Sequence, residues 1–320
     1  MFFKDLKGQD QAVSALKNYI RQRHLSGGYI FSGPDGVGKK MAALACAQKL
    51  NCLESSFDEP CGKCSSCLKI NNLAHPDLHI INNGDDEIKI DDVRLLQRQI
   101  SFRPYEGAMQ VFIIDNAHRL NSDSSNALLK VLEEPPKHNL IILITSKPRL
   151  LFNTISSRCK VIRFYVLPRQ KLELILKNDY ACDAQTAHFL AFYAEGSLGE
   201  ALKLSAGQIM QKKNDLLDNF VFSSKPGQGF ARISAKEDAR FYLNLFAATM
   251  RDVYLVKAGL GADQMINADR APEISKIAQR LTFNRIEGIC SGISESIGYL
   301  ESNINIRLLL NNLGAQLWQT

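Results

Sequence analysis

Four groups of residues have the types and spacing that chemistry needs. The first is Gly33-Pro34-Asp35-Gly36-Val37-Gly38-Lys39-Lys40, a glycine loop of the G-x-x-x-x-G-K kind. Backbone N–H groups of such a loop cradle phosphates, and Lys39 would reach the β and γ phosphates. The pattern wants Ser or Thr after that lysine, because its hydroxyl holds the nucleotide's Mg²⁺; Lys40 brings a second positive charge instead. The second group is Asp115-Asn116-Ala117-His118, at the end of the apolar run Val111-Phe112-Ile113-Ile114. Asp115 can accept a metal-bound water. Asn116 stands where a carboxylate would polarise the attacking water, and an amide has no comparable basicity. Gly33, Gly36, Gly38, Lys39 and Asp115 thus outline a degenerate nucleotide site able at best to hold ATP.

The third group is Cys52, Cys61, Cys64 and Cys67, spaced C-x8-C-x2-C-x2-C. Two close C-x-x-C steps let thiolates converge on one tetrahedral ion, with Gly62 easing the turn. Four cysteines fill a zinc site, so it would be structural; His75 and His79 are the alternative ligands nearby. The fourth is Ser157-Arg158-Cys159, ahead of the last strand. An arginine there could reach a neighbouring subunit's γ-phosphate, although a surface ion pair is the commoner fate of a single arginine. His118, Cys46, Cys182 and Cys290 read as structural.

The elements that position these groups follow from the hydrophobic pattern. Ala12, Val13, Leu16, Tyr19 and Ile20 recur at helical spacing. Tyr29–Phe31 is a strand feeding the glycine loop, and Met41–Leu50 a buried helix opening at it. Strands are also expected at Leu78–Ile81, Val111–Ile114, Leu140–Ile144 and Val161–Phe164, with helices at Ile90–Ile100 and Asn121–Glu133, the latter ended by Pro135-Pro136. Alternating strands and helices argue for an α/β fold, a five-stranded parallel sheet covered on both faces. After Pro168 the pattern is helical, with a loop at Ser223–Gly229. The expected division is an α/β domain over 1–165 with the cysteine excursion at about 52–67, a helical lid over 166–207, and an all-α domain over 208–320.

The chain has 320 residues and a net charge of +6. Mild basicity permits an acidic partner or nucleic acid without requiring one. No apolar run approaches the ~20 residues of a membrane span, and the N-terminus lacks a signal-peptide core. The expected compartment is the cytoplasm, where thiols stay reduced and a disulfide framework is not expected for the eight cysteines.

Together these residues resemble the clamp-loader branch of the AAA+ family. The resemblance extends over nearly the whole chain. It includes Lys7-Gly8-Gln9, the glycine loop, the four cysteines, His75-Pro76-Asp77, the run from Asn126 to Pro136, Thr154–Cys159, Gly196–Leu202 at the second sensor, and Asn303–Leu309 in the C-terminal collar. The resemblance implies a subunit working beside ATP-hydrolysing motor subunits and a clamp-opening subunit in a five-membered ring that places a sliding clamp on primed DNA. Lys40, Asn116 and Gly199, the last where motor subunits carry a nucleotide-sensing arginine, imply a non-hydrolysing stator. Arg158 matches the family's arginine finger and would act in trans. Two other readings stay open: a motor subunit with unusual motifs, and a zinc-dependent nucleic-acid-binding module, for which the chain lacks a dense Lys/Arg tract with interleaved aromatics.

Overall fold

The structure is a computed structural model that describes residues 1–22, 24–54, 58–81, 84, 86–207, 209–222, 236–300, 305, 306, 308 and 309. The loop expected at Ser223–Gly229 and most of the collar segment at Asn303–Leu309 lie outside the described residues. By compactness the chain divides into two units, one formed by Met1–Leu167 with Ser197–Gly199, the other by Pro168–Gly196 with Glu200–Thr320.

The first unit is built on five strands: β1 (Gly27–Ser32), β2 (Leu78–Ile81), β3 (Gln110–Ile114), β4 (Asn139–Thr145) and β5 (Lys160–Arg163). Their order is β2-β3-β4-β1-β5 and every pairing is parallel. All residues of β3 and β4 are buried. Buried on both faces, they appear as unbroken apolar runs rather than as alternation. The side chains still alternate in where they go. Tyr29, Phe31, Val111, Ile113 and Ile142 join one core, packed against α1 (Asp10–Arg21) and α2 (Lys39–Leu50) through residues such as Leu16 and Ala43. Ile30, Phe112, Ile114, Ile141 and Leu143 join the other, with Val93 and Leu96 of α4 (Ile90–Ile100) and Leu128 and Leu132 of α5 (Ser122–Glu133). The expected α/β architecture, a five-stranded parallel sheet with helices on both faces, is present.

Two short helices were not expected: α3 (Ser65–Asn71), inside the cysteine excursion, and α6 (Asn153–Ser156), just before Arg158. Neither is long enough to show a helical period. The N-cap of α5 is a short polar residue. Asn121 accepts from the Ser124 N–H at 3.0 Å, starting α5.

The second unit is helical: α7 (Arg169–Tyr180), α8 (Ala184–Tyr193), α9 (Leu198–Ala206, whose first two residues belong to the first unit), α10 (Ile209–Leu216), α11 (Lys236–Lys257), α12 (Ala271–Arg280) and α13 (Phe283–Tyr299). A π turn, Leu217–Val221, follows α10. Pro272 sits in the first turn of α12, where its missing N–H costs nothing. Buried Lys213 meets Asp269 at 2.6 Å. Asp252 accepts the backbone N–H groups of Ile266 and Asn267 at 2.9 and 2.8 Å, fixing the turn ahead of α12. Among the described residues no helix is long and apolar enough to cross a membrane.

Asp77 ties the sheet to the loop before β3. Its carboxylate, 1% exposed, accepts the N–H groups of Tyr105, Glu106 and Gly107 at 2.6, 3.0 and 2.7 Å. Burial pushes its pKa up, but the backbone donors outweigh burial and hold it below the usual value. A carboxylate with a lowered folded pKa adds stability above its unfolded pKa of about 4, and that stability drains away as pH falls through the folded value. Asp77→Ala strands three donors and is expected to cost about 3 kcal/mol. Urea unfolding at pH 7 and pH 3 checks this: the gap between mutant and parent should narrow at the lower pH.

Candidate functional site

The glycine loop connects β1 to α2. Gly33 lies so close to β5 that an added Cβ would come within 2.3 Å of the Phe164 carbonyl oxygen. Only glycine fits. Gly36 and Gly38 take the left-handed φ values 73 and 99, and Gly38 caps α2. A pocket of about 240 Å³ opens there, lined by Asp35, Gly36, Gly38, Lys39, Lys40, Met41, Asp115 and Ile144. The expected residues Gly36, Gly38, Lys39 and Asp115 therefore share one cavity.

The charges inside this pocket satisfy one another. Lys39, 5% exposed, donates to the carbonyls of Gly33 and Pro34 and lies 3.5 Å from Asp35. Burial lowers its pKa, with Asp35 opposing. Lys40 Nζ lies 3.2 Å from Asp115 Oδ2. The ammonium that replaced the metal-binding hydroxyl thus pairs with the carboxylate that would have faced the metal. Asn116 takes φ 54, donates from its backbone to Asp115 Oδ1 at 3.1 Å, and sends its amide to the Gly84 carbonyl at 3.2 Å. No carboxylate stands at position 116 to activate water.

Three further contacts lie beside the pocket. Thr145, at the end of β4, is fully buried and its Oγ1 lies 3.2 Å from His118 Nδ1. Burial lowers the His118 pKa, helped by Lys147 and Arg119. Gly199 sits against the glycine loop, its N–H donating to the Gly36 carbonyl at 2.9 Å, and Ser197 Oγ donates to the Asp35 carbonyl at 2.8 Å. A Cβ at position 199 would fall 2.7 Å from the Gly36 oxygen. In this arrangement a sensing arginine has no room there.

Arg158 follows α6. Its Nη1 donates to the Thr154 carbonyl at 3.0 Å and to Ser157 Oγ at 3.3 Å, while Nη2 meets Glu133 Oε1 at 2.7 Å. The next residue, Cys159, is an anchor: a Cβ on Gly28 of β1 would lie 2.7 Å from its sulfur. Burial pushes this thiol up to about 12, so it stays protonated and inert. Sequence separates Arg158 from Glu133, and nothing in the pattern shows that they meet.

The sulfur atoms of Cys52, Cys61, Cys64 and Cys67 all lie within 4.8 Å of one another. Four thiolates at the Zn–S distance of 2.3 Å would be about 3.8 Å apart; Cys61 and Cys67 are at 4.0 Å. Backbone N–H groups point at the sulfurs, Cys61 to Cys52 at 3.4 Å, Cys64 to Cys61 at 3.3 Å and Cys67 to Cys64 at 3.4 Å. Burial raises the Cys64 pKa, but the backbone N–H groups of Cys67 and Leu53 and the thiols of Cys67 and Cys61 bring it down to about 7. Gly62 turns the chain at φ 71. The cluster is geometrically suited to a structural metal ion.

Neither histidine joins the cluster. His75 Nε2 bonds Ser66 Oγ at 3.1 Å, and its Nδ1 accepts from the Asp77 N–H at 3.1 Å. His79 stacks on Phe112, ring centroids 4.7 Å apart. The cysteine excursion is fastened to the domain by His75 on Ser66, by Gln48, whose Nε2 donates to the Cys67 carbonyl at 3.0 Å and to Asn71 at 2.7 Å, and by Glu59, which accepts from the Phe3 N–H at 2.7 Å and from Lys17 at 2.6 Å. Gln48 gave no sequence signal beyond being polar in an otherwise buried helix. Of the remaining cysteines, Cys46 is fully buried, and Cys182 and Cys290 are half-buried.

Comparison with known proteins gives matches to two family models. One, described as "DNA polymerase III, delta subunit", matches residues 8–168; the other, "DNA polymerase III, delta subunit, C terminal", matches residues 208–317. The chain is 29% identical over 316 residues to the DNA polymerase III subunit delta' of Bacillus subtilis (strain 168), covering 95% of this chain and 94% of that one. It is 34% identical over 230 residues to subunit tau of the same organism, covering 67% of this chain and 40% of tau. To subunit tau of Escherichia coli (strain K12) it is 38% identical over 208 residues, covering 63% and 32% respectively. The match to the tau subunits is thus confined to well under half of their length.

Proposed function

The chain belongs to the delta/delta-prime family of bacterial DNA polymerase III clamp-loader subunits, and from that premise we propose that it is the stator of the loader, binding beside ATP-hydrolysing tau/gamma-like subunits without splitting ATP itself. The observation that carries this reading is the Lys40–Asp115 pair at 3.2 Å. The ammonium paired with Asp115 takes the electrostatic role of Mg²⁺, and Asn116 offers no base. Phosphoryl transfer relies on a metal bridging the β and γ oxygens and on an oriented nucleophile; this pocket supplies neither. The near full-length match to a delta' subunit supports the same conclusion.

In the proposed assembly the motor subunits, a clamp-opening delta subunit and this chain form a hetero-pentamer within the polymerase holoenzyme, acting on a sliding clamp and primed DNA in the cytoplasm. Arg158 acts in trans on the neighbour's γ-phosphate. Arginine suits that role because its charge is permanent and its planar fork matches phosphate oxygens. The domains are the α/β module over 1–165, a lid over 166–207 and a collar over 208–320; the second family match, beginning at residue 208, supports the last boundary. The four cysteines hold a structural Zn²⁺. The ion would supply tetrahedral cross-linking and no catalysis, since Cys52, Cys61, Cys64 and Cys67 leave it no open position.

Reconstitution tests the function. Motor and delta subunits mixed with this chain should load clamps onto primed DNA at a rate at least about tenfold above the same mixture without it, because a motor site lacking its trans arginine is crippled. Equal loading with and without the chain contradicts the proposal.

A further inference from the structure

The contact between Arg158 and Glu133 has consequences for how the proposed finger is controlled. Glu133 is the last residue of α5, and Pro135 and Pro136 prevent the helix from continuing. A carboxylate at a helix C-terminus faces the negative end of the helix dipole and is disfavoured there unless a cation sits beside it. Arg158 is that cation, at 2.7 Å. The guanidinium has separate anchors on its other branch, the Thr154 carbonyl and Ser157 Oγ, both neutral and both within two turns of chain. Those anchors set the direction of the side chain. Glu133 adds something different, a negative charge on the branch left free to meet a phosphate.

We propose that Glu133 is a latch in cis on Arg158, neutralising the finger in the resting subunit and yielding it to the neighbour's γ-phosphate only when the interface closes. This rests on the reading of Arg158 as a trans-acting finger. The pair is solvent-accessible, with side-chain exposures of 36% for Arg158 and 51% for Glu133. Exposed pairs are weak and screened, so a metal-bound triphosphate held in place by a closed interface outcompetes the carboxylate. In an open interface the carboxylate wins and also repels the phosphate. After phosphate leaves, the helix end recaptures the arginine. Glu133 is a positioning residue, acting through Arg158 and touching no substrate.

The experiment replaces Glu133 by Gln, which keeps a hydrogen-bond acceptor at the same place and removes the charge. In a reconstituted complex whose other motor sites carry a disabled glycine-loop lysine, ATP turnover is measured without clamp and DNA and again with both. The latch predicts that Glu133→Gln raises the unstimulated rate about twofold to fivefold, the range an exposed ion pair of this kind is worth, with the stimulated rate unchanged within about 1.5-fold. The ratio of the two rates falls accordingly. Adding Arg158→Ala should abolish the rise. Glu134→Gln, removing a neighbouring charge, should leave the ratio as it was. An unstimulated rate that stays flat or drops in Glu133→Gln overturns the latch, as does an equal rise in Glu134→Gln. If Arg158→Ala by itself cripples turnover while Glu133→Gln does nothing, the finger stands and the latch falls. If Arg158→Ala has no effect, the finger itself is wrong.

Discussion

Arg158→Ala in the assembled loader is expected to lower ATP turnover at the adjoining motor site roughly a thousandfold, the low end of what a trans arginine contributes to phosphoryl transfer. Turnover at other motor sites would mask the loss, so it should be read in a complex whose other motor sites carry a disabled glycine-loop lysine. The substitution should leave the subunit folded. Arg158 is a third exposed and its lost contacts are two neutral acceptors and one screened ion pair, which together contribute about 1 kcal/mol. Arg158→Lys should rescue little, because an ammonium cannot reproduce the planar fork. Turnover within twofold of the parent in both variants would remove Arg158 from the chemistry and return it to an ordinary surface ion pair.

The second large effect concerns the cysteine excursion. Purified under reducing conditions, the protein should carry about one zinc per chain. Chelation should unfold the segment that the ion closes. Metal binding of this kind is worth on the order of 10 kcal/mol and is largely folding energy. Within α3 the buried apolar residues are Cys67 and Ile70, and its polar ties are those of Gln48 and His75, the Met1 amino group on Asn71 and the Lys69–Glu106 pair. Hydrogen exchange should therefore accelerate in α3 by several orders of magnitude on metal removal, with β3 and β4 unchanged. Cys61→Ser should act in the same direction. Full protection of α3 after chelation, with the sheet also intact, would show that the thiols need no ion.

The sheet was legible because parallel strands covered on both faces must be continuous apolar runs, as in Val111–Ile114 and Leu140–Ile144. α5 was legible from its apolar back half and its terminal prolines. α3 was not, because seven residues containing a metal-ligand cysteine leave no room for an amphipathic period. The site divides in the same way. Sequence names the groups, Lys40, Asp115, Asn116, Arg158 and the cysteines, since their chemistry depends on type and local spacing. It is silent on which groups meet. The Lys40–Asp115 and Arg158–Glu133 pairs join positions on different elements, and it is the parallel run of β3, β4 and β1 that brings the C-terminal ends of β1 and β3 to the same side of the sheet. Gly199 is a similar case. Its identity marks a missing arginine, and its 2.9 Å bond to Gly36 shows what took the space.

The account depends on a pocket whose positive charges are engaged by its own carbonyls and carboxylates. Steady-state phosphate release by the isolated chain in Mg²⁺-ATP measures this most directly. The expected result is a rate indistinguishable from buffer, unchanged by Lys39→Ala. Sustained release that disappears in Lys39→Ala would mean that the pocket recruits a metal and a base despite Lys40 and Asn116, and that the subunit is a motor.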